Sequence, residues 1–336
     1  MKILIYSPLF YPSIGGIETT LSILAHEFVN QGHQVKVVTQ VAAKDSTSFS
    51  FEVIRKPNWQ TLLKLTRWCD IYFQGCVNLK GIWPLLISPR PWVVTHQTWY
   101  RRLDGRVGFQ DYLKRYLTLF ATNVSASSAL AEHIKGLSTV VPNPYREEIF
   151  YERQEIPRDK DLVFLGRLVS DKGVDLLLDA LANLKQLGLS PSLTIIGSGP
   201  EEPNLRQQVK QLDIVEQVNF AGAKVENDLA QLLNAHKILV VPSVWEEPFG
   251  IVALEGIACG CVVVGSEAGG LKDAIGACGV TFPNGDVNAL TQALFNLLTN
   301  PDKLAAYREK AESHLSRHTK AAVAKAYLEV LENVIQ

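Results

Sequence analysis

Short apolar runs alternate with amphipathic stretches along the whole chain, and this rhythm limits the possible folds more than any other feature. Within each run the residues are mostly Val, Ile, Leu or Phe without polar alternation, which is typical of strands buried on both faces. Parallel sheets covered by helices on both sides provide such surroundings, so the pattern predicts a doubly wound α/β architecture. The runs are KILIYS, QVKVVTQ, DIYFQ, WVVTH, ATNVSAS and STVVPN in the first half, and DLVFLGR, LTIIGSG, VNFAG, ILVVPS and CVVVGS in the second.

The chain length of 336 residues favours two such domains. A stretch over 142–161 is rich in prolines and charges and contains no apolar run, so it separates the two sets of strands. We therefore expect a first domain over 1–150 and a second over 151–318. A last helix over about 319–336 carries apolar residues on one face. It either ends the second domain or packs back on the first.

Composition and charge exclude several classes of protein. The net charge of −1 argues against a general nucleic-acid partner. No stretch reaches the roughly 20 apolar residues that cross a bilayer, and Pro8 and Pro12 interrupt the apolar N-terminus, which argues against an export signal. Five cysteines scattered through apolar runs fit reduced thiols better than a disulfide framework. We therefore expect a cytoplasmic protein.

The segment VVPSVWEEPFGIVALEGIACG, residues 240–260, is the most informative part of the chain. It predicts a buried strand, a loop that carries Glu247, and a helix that begins near Phe249 and Gly250. The N-terminus of a helix offers free N–H groups and the positive end of its dipole, which together suit a phosphate. Glu247 and Glu255 are expected to hydrogen-bond different hydroxyls of one extended ligand and not to act as an acid/base pair.

The segment FLGRLVSDKGVDLLLDAL, residues 164–181, places Arg167 and Lys172 around a loop after the first strand of the second domain. Two fixed cations in this position can hold a diphosphate. The alternative is that they are surface charges paired with Asp171 and Asp175. The neighbouring segment over 240–260 favours the diphosphate site.

Three weaker signals also follow strands. Residues 14–18, IGGIE, put paired glycines at the turn from strand to helix, and GSGPEE holds the same position in the second domain. GSGPEE lacks the third glycine of the dinucleotide fingerprint, so a nicotinamide site is disfavoured. His96 ends the run VVTH, where doubly wound folds place their ligand-facing loops, although a lone histidine is often structural.

Five motifs of the chain, taken in order, resemble those of the retaining glycosyltransferases of family 4. They are Gly15-Gly16-Ile17-Glu18, VVTH, GRLVSDKG, GSGPEE and EEPFGIVALEG. The resemblance is strong over about 155–285 and looser over 1–150. It implies the glycosyltransferase-B fold, with two facing Rossmann-like domains and a C-terminal helix that crosses back to the first domain.

The resemblance also implies a site for a nucleoside-diphosphate sugar. Glu255 would bind the ribose, and the backbone near Lys224 and Val225 would bind the base. Glu247 and His96 are the candidate catalytic residues, with Glu247 on the sugar hydroxyls and His96 beside the reacting carbon. The residues implied to hold the diphosphate are Arg167, Lys172, Gly16, Phe249, Gly250, Ile251 and Val252. Gln97 stands where many members have Asp, a departure that bears on the acceptor more than on the donor.

The expected activity is therefore metal-independent, retaining transfer of a sugar to a glycan or polyprenyl-linked acceptor in envelope or exopolysaccharide synthesis. UDP-glucose is the default donor, and no cofactor or metal is expected because cations and a helix N-terminus can stabilise the departing diphosphate. Two alternatives use the same fold, namely a nucleotide-sugar epimerase and a non-catalytic nucleotide-sugar-binding partner.

Charge is distributed unevenly between the two halves of the chain. Residues 1–150 hold 16 Lys and Arg against 10 Asp and Glu, whereas residues 151–336 hold 17 against 24. A group of basic and aromatic residues in the first half suggests contact with anionic headgroups at the inner face of the membrane. The alternative is a solvated helix face with its aromatics in the core. The group comprises Arg101, Arg102, Arg106, Lys114 and Arg115 with Trp99, Tyr100, Phe109 and Tyr112.

Overall fold

The computed structural model describes residues 1–13, 15–42, 48–102 and 105–335. The chain forms two compact units. Unit 1 comprises Met1–Pro144 and Lys320–Gln336, and unit 2 comprises Tyr145–Thr319. The division at Pro144 falls within the proline-rich stretch 142–161, a few residues before the expected boundary.

Unit 1 is built on a parallel sheet of seven strands flanked by helices. The strands are β1 (Lys2–Tyr6), β2 (Gln34–Thr39), β3 (Glu52–Arg55), β4 (Ile71–Gly75), β5 (Trp92–His96), β6 (Thr122–Ser125) and β7 (Ser138–Val140). Their order is β3-β2-β1-β4-β5-β6-β7, the doubly wound arrangement in which the first strand lies inside the sheet. The helices are α1 (Gly16–Asn30), α2 (Trp59–Trp68), α3 (Leu79–Ile87), α4 (Phe109–Leu117) and α5 (Ser128–His133).

Unit 2 repeats this plan with a parallel sheet of six strands. The strands are β8 (Lys160–Leu165), β9 (Leu193–Ile196), β10 (Val218–Gly222), β11 (His236–Val241), β12 (Val262–Ser266) and β13 (Gly279–Phe282), in the order β10-β9-β8-β11-β12-β13. The helices are α6 (Val174–Gln186), α7 (Glu202–Gln211), α8 (Glu226–Asn234), α9 (Ile251–Ala258), α10 (Leu271–Ile275), α11 (Val287–Leu298), α12 (Pro301–Arg308) and α13 (Ala311–Leu315). The sheet order brings β8 and β11 side by side, which positions the site described below.

The last helix, α14 (Lys320–Ile335), belongs to unit 1. Its buried side chains Val323, Tyr327 and Leu331 recur at the helical period and join the core that α1 forms with β1 and β4. The Tyr327 hydroxyl also lies 2.7 Å from the Thr95 hydroxyl at the end of β5. The apolar face of this helix therefore packs on the first unit, as one of the two sequence interpretations expected.

The apolar runs predict every described strand except β3 and β13. Both are edge strands with partly exposed side chains, so neither requires a continuous apolar run. Among the helices, α3 contains Pro84 within its nine residues. None of the described helices combines the length and the apolar character needed to span a bilayer.

Candidate functional site

The carboxyl edge of the unit 2 sheet collects most of the residues predicted to bind a donor. All six strands are parallel, so the loops that follow them lie along one edge, where doubly wound folds bind their ligands. Arg167 and Lys172 follow β8, Glu247 follows β11, and Lys224 and Val225 follow β10. Gly16 and His96 instead belong to unit 1, so their relation to this edge stays a prediction.

The loops after β8 and β11 are joined by their backbones. The carbonyl oxygen of Asp171 accepts hydrogen bonds from the N–H groups of Val244 at 3.0 Å and Trp245 at 3.3 Å. Gly173 adopts φ 66°, and a Cβ there would collide with the carbonyl oxygen of Pro242. Only glycine combines this left-handed backbone with such a close approach. The Lys172 loop is therefore held directly against the Glu247 loop.

Lys172 and Glu247 form an ion pair across the two joined loops. The Lys172 Nζ lies 2.5 Å from Glu247 Oε1, and the side chains are only 22% and 13% exposed. The Ser243 hydroxyl donates a hydrogen bond to the same carboxylate oxygen at 2.6 Å. This pairing replaces the alternative in which Asp171 and Asp175 neutralise the cations. Two residues predicted to bind different parts of one donor are thus hydrogen-bonded to each other.

The backbone around Glu247 is fixed by two further loops. Its carbonyl oxygen accepts from the N–H of Gly270 at 2.7 Å. The Asn284 side-chain amide donates to the carbonyl oxygens of Ser243 at 3.0 Å and Val244 at 3.2 Å. Sequence reasoning missed both Ser243 and Asn284. The position of Ser243 four residues before Glu247 is the only signal in the sequence that could have suggested its role.

The N-terminus of α9 is open to a ligand through its backbone. Gly250 caps the helix at φ 102° and ψ 62°, and a Cβ there would lie 2.5 Å from Leu271 Cδ1, so glycine is required. It has no side chain to accept from the N–H groups of Ile251 and Val252, which favours an external acceptor at the positive end of the helix dipole. The Phe249 ring packs against His318, and the residue as a whole is buried.

The loop that carries Arg167 packs against the GSGPEE segment. The Leu168 N–H donates to the Ser198 carbonyl oxygen at 3.0 Å, and the Glu201 N–H donates to the Leu168 carbonyl oxygen at 3.0 Å. A Cβ at Gly199 would collide with that same Leu168 oxygen. The glycines of this segment therefore serve close loop packing. Arg167 itself is exposed and makes no ion pair within the described part of the chain.

The predicted ribose and base contacts lie in different surroundings. Glu255 lies on α9 and is partly exposed as a whole residue, but its carboxyl group is buried. Burial raises the pKa of this carboxyl group to about 7, although the positive charge of Arg146 acts in the opposite direction. Near neutral pH this carboxyl group can therefore both accept and donate hydrogen bonds. Lys224 and Val225 are exposed just before α8, where their backbone groups can meet a ligand.

His96 lies at the carboxyl end of β5 and is fully buried. Its Nε2 is 3.0 Å from Asn123 Oδ1, and its Nδ1 is 2.7 Å from the Tyr100 hydroxyl. The Asn123 amide nitrogen donates to three backbone carbonyl groups, so Oδ1 is the atom that faces the ring. The Tyr100 hydroxyl accepts from the Val77 N–H at 2.8 Å and can donate its own hydrogen to Nδ1. This network assigns the neutral tautomer with the proton on Nε2.

The predicted position of His96 beside the donor sugar stays a prediction, and its surroundings within unit 1 are as follows. Both ring nitrogens are engaged inside unit 1, and burial lowers the pKa of His96 to about 4. The imidazole is therefore neutral at physiological pH. The sequence places Tyr100 four residues after His96, but nothing in it indicates Asn123 as the second partner.

The glycine turn of unit 1 faces a carboxylate of its own chain. Ser13 donates a hydrogen bond to Glu18 Oε1 at 3.0 Å, and a Cβ at Gly15 would lie 2.6 Å from Glu18 Oε2. Glu18 is 8% exposed. The part of Gly16 in the phosphate site stays a prediction. Ile14, the first residue of the predicted IGGIE segment, lies outside the described residues.

Within the described residues, no group of three His, Cys, Asp or Glu side chains is placed to hold a metal ion. The Asp-x-Asp triplet at Asp159 and Asp161 lies at the amino end of β8, opposite the edge described above. Asp161 accepts hydrogen bonds from Lys237 at 2.8 Å and from the Ser192 N–H at 3.0 Å, which together lower its pKa despite burial.

Comparisons with known proteins agree with this architecture. The chain is 29% identical over 221 residues to a GDP-mannose-dependent alpha-(1-6)-phosphatidylinositol monomannoside mannosyltransferase of Mycolicibacterium smegmatis, covering 62% of this chain and 58% of that protein. It is 34% identical over 175 residues to glycogen synthase of Mycobacterium tuberculosis, covering 50% of this chain and 42% of that protein. The matched part thus spans about half the length of these relatives.

The fold is shared with solved structures. Anabaena Alr3699/HepE in complex with UDP-glucose superposes with a TM-score of 0.81 at 19% identity, covering 99% of this chain and 100% of that chain. Two parallel-sheet Rossmann-like units are the glycosyltransferase-B architecture that the sequence predicted, and the fold class is confirmed. The profile of the family described as Glycosyl transferases group 1 matches residues 146–314, just over half of the chain. The chain belongs to the glycosyl transferases group 1 family.

Proposed function

We propose that this protein is a retaining glycosyltransferase of family 4 that acts without a metal ion. It transfers a sugar from a nucleoside-diphosphate sugar to a glycan or polyprenyl-linked acceptor in envelope or exopolysaccharide synthesis. Membership of the glycosyl transferases group 1 family supports the reaction class. The proposed location is the cytoplasm, with contact to the inner face of the membrane.

One observation carries this proposal, namely the convergence of cationic groups at the carboxyl edge of unit 2. Arg167 and Lys172 come from the loop after β8, and the N-terminus of α9 comes from the loop after β11. The backbone hydrogen bonds from Val244 and Trp245 to Asp171 hold these loops together. A guanidinium, an ammonium and a helix N-terminus arranged in this way are complementary to the charge of a diphosphate.

The chemistry follows from where charge develops in the reaction. The bond between the anomeric carbon and the phosphate oxygen breaks, and that oxygen keeps the electron pair. The bond between the acceptor oxygen and the anomeric carbon forms on the same face, and the acceptor proton passes to the departing diphosphate. Arg167, Lys172 and the α9 backbone stabilise the negative charge, and preorganised groups of this kind lower the barrier most. Retention by this route does not require a second carboxylate as nucleophile.

Glu247 and Glu255 are proposed to bind the two sugar rings of the donor. The Glu247 carboxylate lies next to Lys172, so it suits hydroxyls of the transferred sugar beside the diphosphate. Glu255 lies on α9 beyond the phosphate-binding turn and suits the ribose, while the backbone of Lys224 and Val225 suits the base. His96 is proposed to lie against the transferred sugar beside the reacting carbon.

UDP-glucose is the proposed default donor. Anabaena Alr3699/HepE, which shares the fold, was solved with UDP-glucose, and the mycobacterial relative is named for GDP-mannose. Both nucleotides therefore belong in the test. Calorimetry with UDP, GDP and ADP identifies the base that the protein binds. Arg167→Ala is expected to weaken the affinity for the nucleotide that binds most tightly about ten- to a hundredfold, because a charged hydrogen bond is lost.

Arg206→Ala is the matched control, because Arg206 is an exposed arginine of α7 that pairs with Glu202. Unchanged affinity in Arg167→Ala would remove the proposed phosphate site. Incubation with the nucleotide sugar alone, followed by NMR of the sugar, then distinguishes reaction types. A new epimer in the absence of acceptor would contradict the transferase, and an inverted linkage in the transfer product would contradict retention.

A further inference from the structure

A stripe of exposed aromatic side chains runs along α4 and the 3-10 turn that follows it at Thr118–Phe120. Phe109, Tyr112, Tyr116 and Phe120 recur at intervals of three and four residues, so they share one face. Phe109 is 81% exposed and Phe120 is 67% exposed. The rings of Tyr116 and Phe120 pack edge to face with centroids 5.9 Å apart. Contiguous exposed apolar surface of this kind marks a binding site more often than a solvated face.

The loop before β7 extends this stripe. The N–H groups of Lys135 and Gly136 donate to the Thr118 hydroxyl at 3.3 Å and 3.0 Å, which places the loop beside the end of α4. The next residue, Leu137, is 97% exposed. The Lys135 Nζ lies 4.6 Å from the centroid of the Tyr112 ring. Apolar and cationic groups therefore share one surface, called here the α4 surface and defined by Phe109, Tyr112, Tyr116, Phe120, Lys135 and Leu137.

The charge around the α4 surface is positive although the whole chain carries −1. Residues 101–137 contain six Lys and Arg against three Asp and Glu. The structure also corrects the sequence prediction of which aromatics belong here. Trp99 and Tyr100 are buried, with the Arg101 guanidinium 4.6 Å from the Trp99 ring centroid, whereas Tyr116 and Phe120 are exposed.

We propose that the α4 surface docks on an anionic lipid bilayer. Aromatic rings at the level of the headgroups and Lys and Arg beside them are the two components of interfacial binding. A second copy of this chain is a poorer occupant, because a symmetric contact would bring the same positive surface against itself. The inference rests on the proposed function only for the link to a lipid-linked acceptor, which such docking would bring within reach.

Flotation of the full chain with vesicles tests this inference. We expect binding to vesicles of 70% phosphatidylcholine and 30% phosphatidylglycerol at low salt, little binding to pure phosphatidylcholine, and release at 0.5 M NaCl, where screening is strong. Replacing three cations is expected to lower the partition coefficient about a hundredfold. The aromatic variant is expected to lower it at least about tenfold. The variants are Arg102→Gln with Arg106→Gln and Lys135→Gln, and Phe109→Ser with Tyr116→Ser and Phe120→Ser.

Matched controls lie elsewhere in unit 1. Trp59→Ser removes a 64% exposed aromatic from α2, which follows the opposite edge of the sheet, and Lys64→Gln with Arg67→Gln and Lys80→Gln removes three exposed cations. Both controls are expected to float like the wild type. The inference is overturned if the wild type does not float at low salt, or if the aromatic variant floats as well as the wild type.

Self-association is the competing outcome and is measured separately. A dimer in sedimentation velocity that the aromatic variant abolishes, without flotation of the wild type, would assign the α4 surface to a second copy and overturn the membrane inference. Nucleotide calorimetry on the same variants reports the proposed donor site, so failure of docking and failure of the proposed function are distinguishable. Retained nucleotide binding also shows that each variant is folded.

Discussion

The ion pair between Lys172 and Glu247 allows the binding role of Lys172 to be separated from its structural role. Among the described residues, Lys172→Met leaves the 13% exposed Glu247 carboxylate with the Ser243 hydroxyl as its one side-chain donor. Because a hydrogen bond to a charged group contributes about 1.5–3 kcal/mol, the free energy of unfolding is expected to fall by that amount. Glu247→Gln is expected to cost less, since the Lys172 ammonium is 22% exposed and can turn toward water.

The double variant Lys172→Met with Glu247→Gln removes both charges and should recover about 1 kcal/mol or more of the loss, which is the coupling expected of contacting groups. Nucleotide affinity should not recover with it. Lys172→Met is expected to weaken binding of the nucleoside diphosphate about ten- to a hundredfold in either background. Glu247→Gln alone should leave affinity unchanged or tighten it up to about fivefold, because the ammonium no longer shares its charge.

Urea unfolding and calorimetry on the wild type and the three variants provide the complete cycle. If the double variant regains the affinity of the wild type, Lys172 acts only through Glu247 and does not touch the diphosphate. If the loss of stability in the double variant equals the sum of the losses in the two single variants, the ion pair does not contribute to the free energy of unfolding.

Three further predictions concern His96, pH and metal. Tyr100→Phe leaves the Val77 N–H and His96 Nδ1 without their buried partner and should lower the free energy of unfolding by about 2–4 kcal/mol. The control Tyr112→Phe on the surface should lower it by less than about 0.5 kcal/mol, and equal losses in urea unfolding would contradict the network. Burial lowers the pKa of His96 and His236 to about 4, below the usual 6.5, so the unfolded chain binds more protons below pH 6.5. From pH 6.5 toward pH 4, each histidine should therefore lower the free energy of unfolding by up to about 3 kcal/mol, whereas the raised pKa of Glu255 contributes about 3 kcal/mol in the opposite direction. The free energy of unfolding should thus fall by about 3 kcal/mol in total, and unfolding curves that do not change over this range would refute it. EDTA should leave the rate of sugar transfer unchanged, and a loss restored by added Mg²⁺ or Mn²⁺ would refute the metal-free proposal.

Most strands of this protein could be predicted because a strand that is buried on both faces consists of consecutive apolar residues. β4 and β12 are buried at every residue and stand out as apolar runs. β3 has no fully buried residue and β13 has one, so their half-exposed sequences resemble loops. Edge strands obtain their conformation from hydrogen bonds to a neighbour, and that neighbour is distant in sequence.

The parts of the site that could be predicted are those formed by residues close together in the sequence. The turn into α9 at Gly250 follows from a few consecutive residues, and the structure has it there. The contact between Lys172 and Glu247 joins residues 75 positions apart, so it depends on β8 and β11 being neighbours in the sheet. The burial of His96 likewise depends on Asn123, which a lone histidine at a strand end does not reveal.

Because α14 belongs to unit 1, the first unit is assembled from two separate pieces of the chain, while unit 2 is continuous. During synthesis all of residues 145–319 are added to the chain before α14. Until then, the core around Leu24, Phe28 and Phe73 lacks the side chains of Tyr327 and Leu331 that complete it. Unit 1 therefore cannot complete its core until the whole of unit 2 has been synthesised.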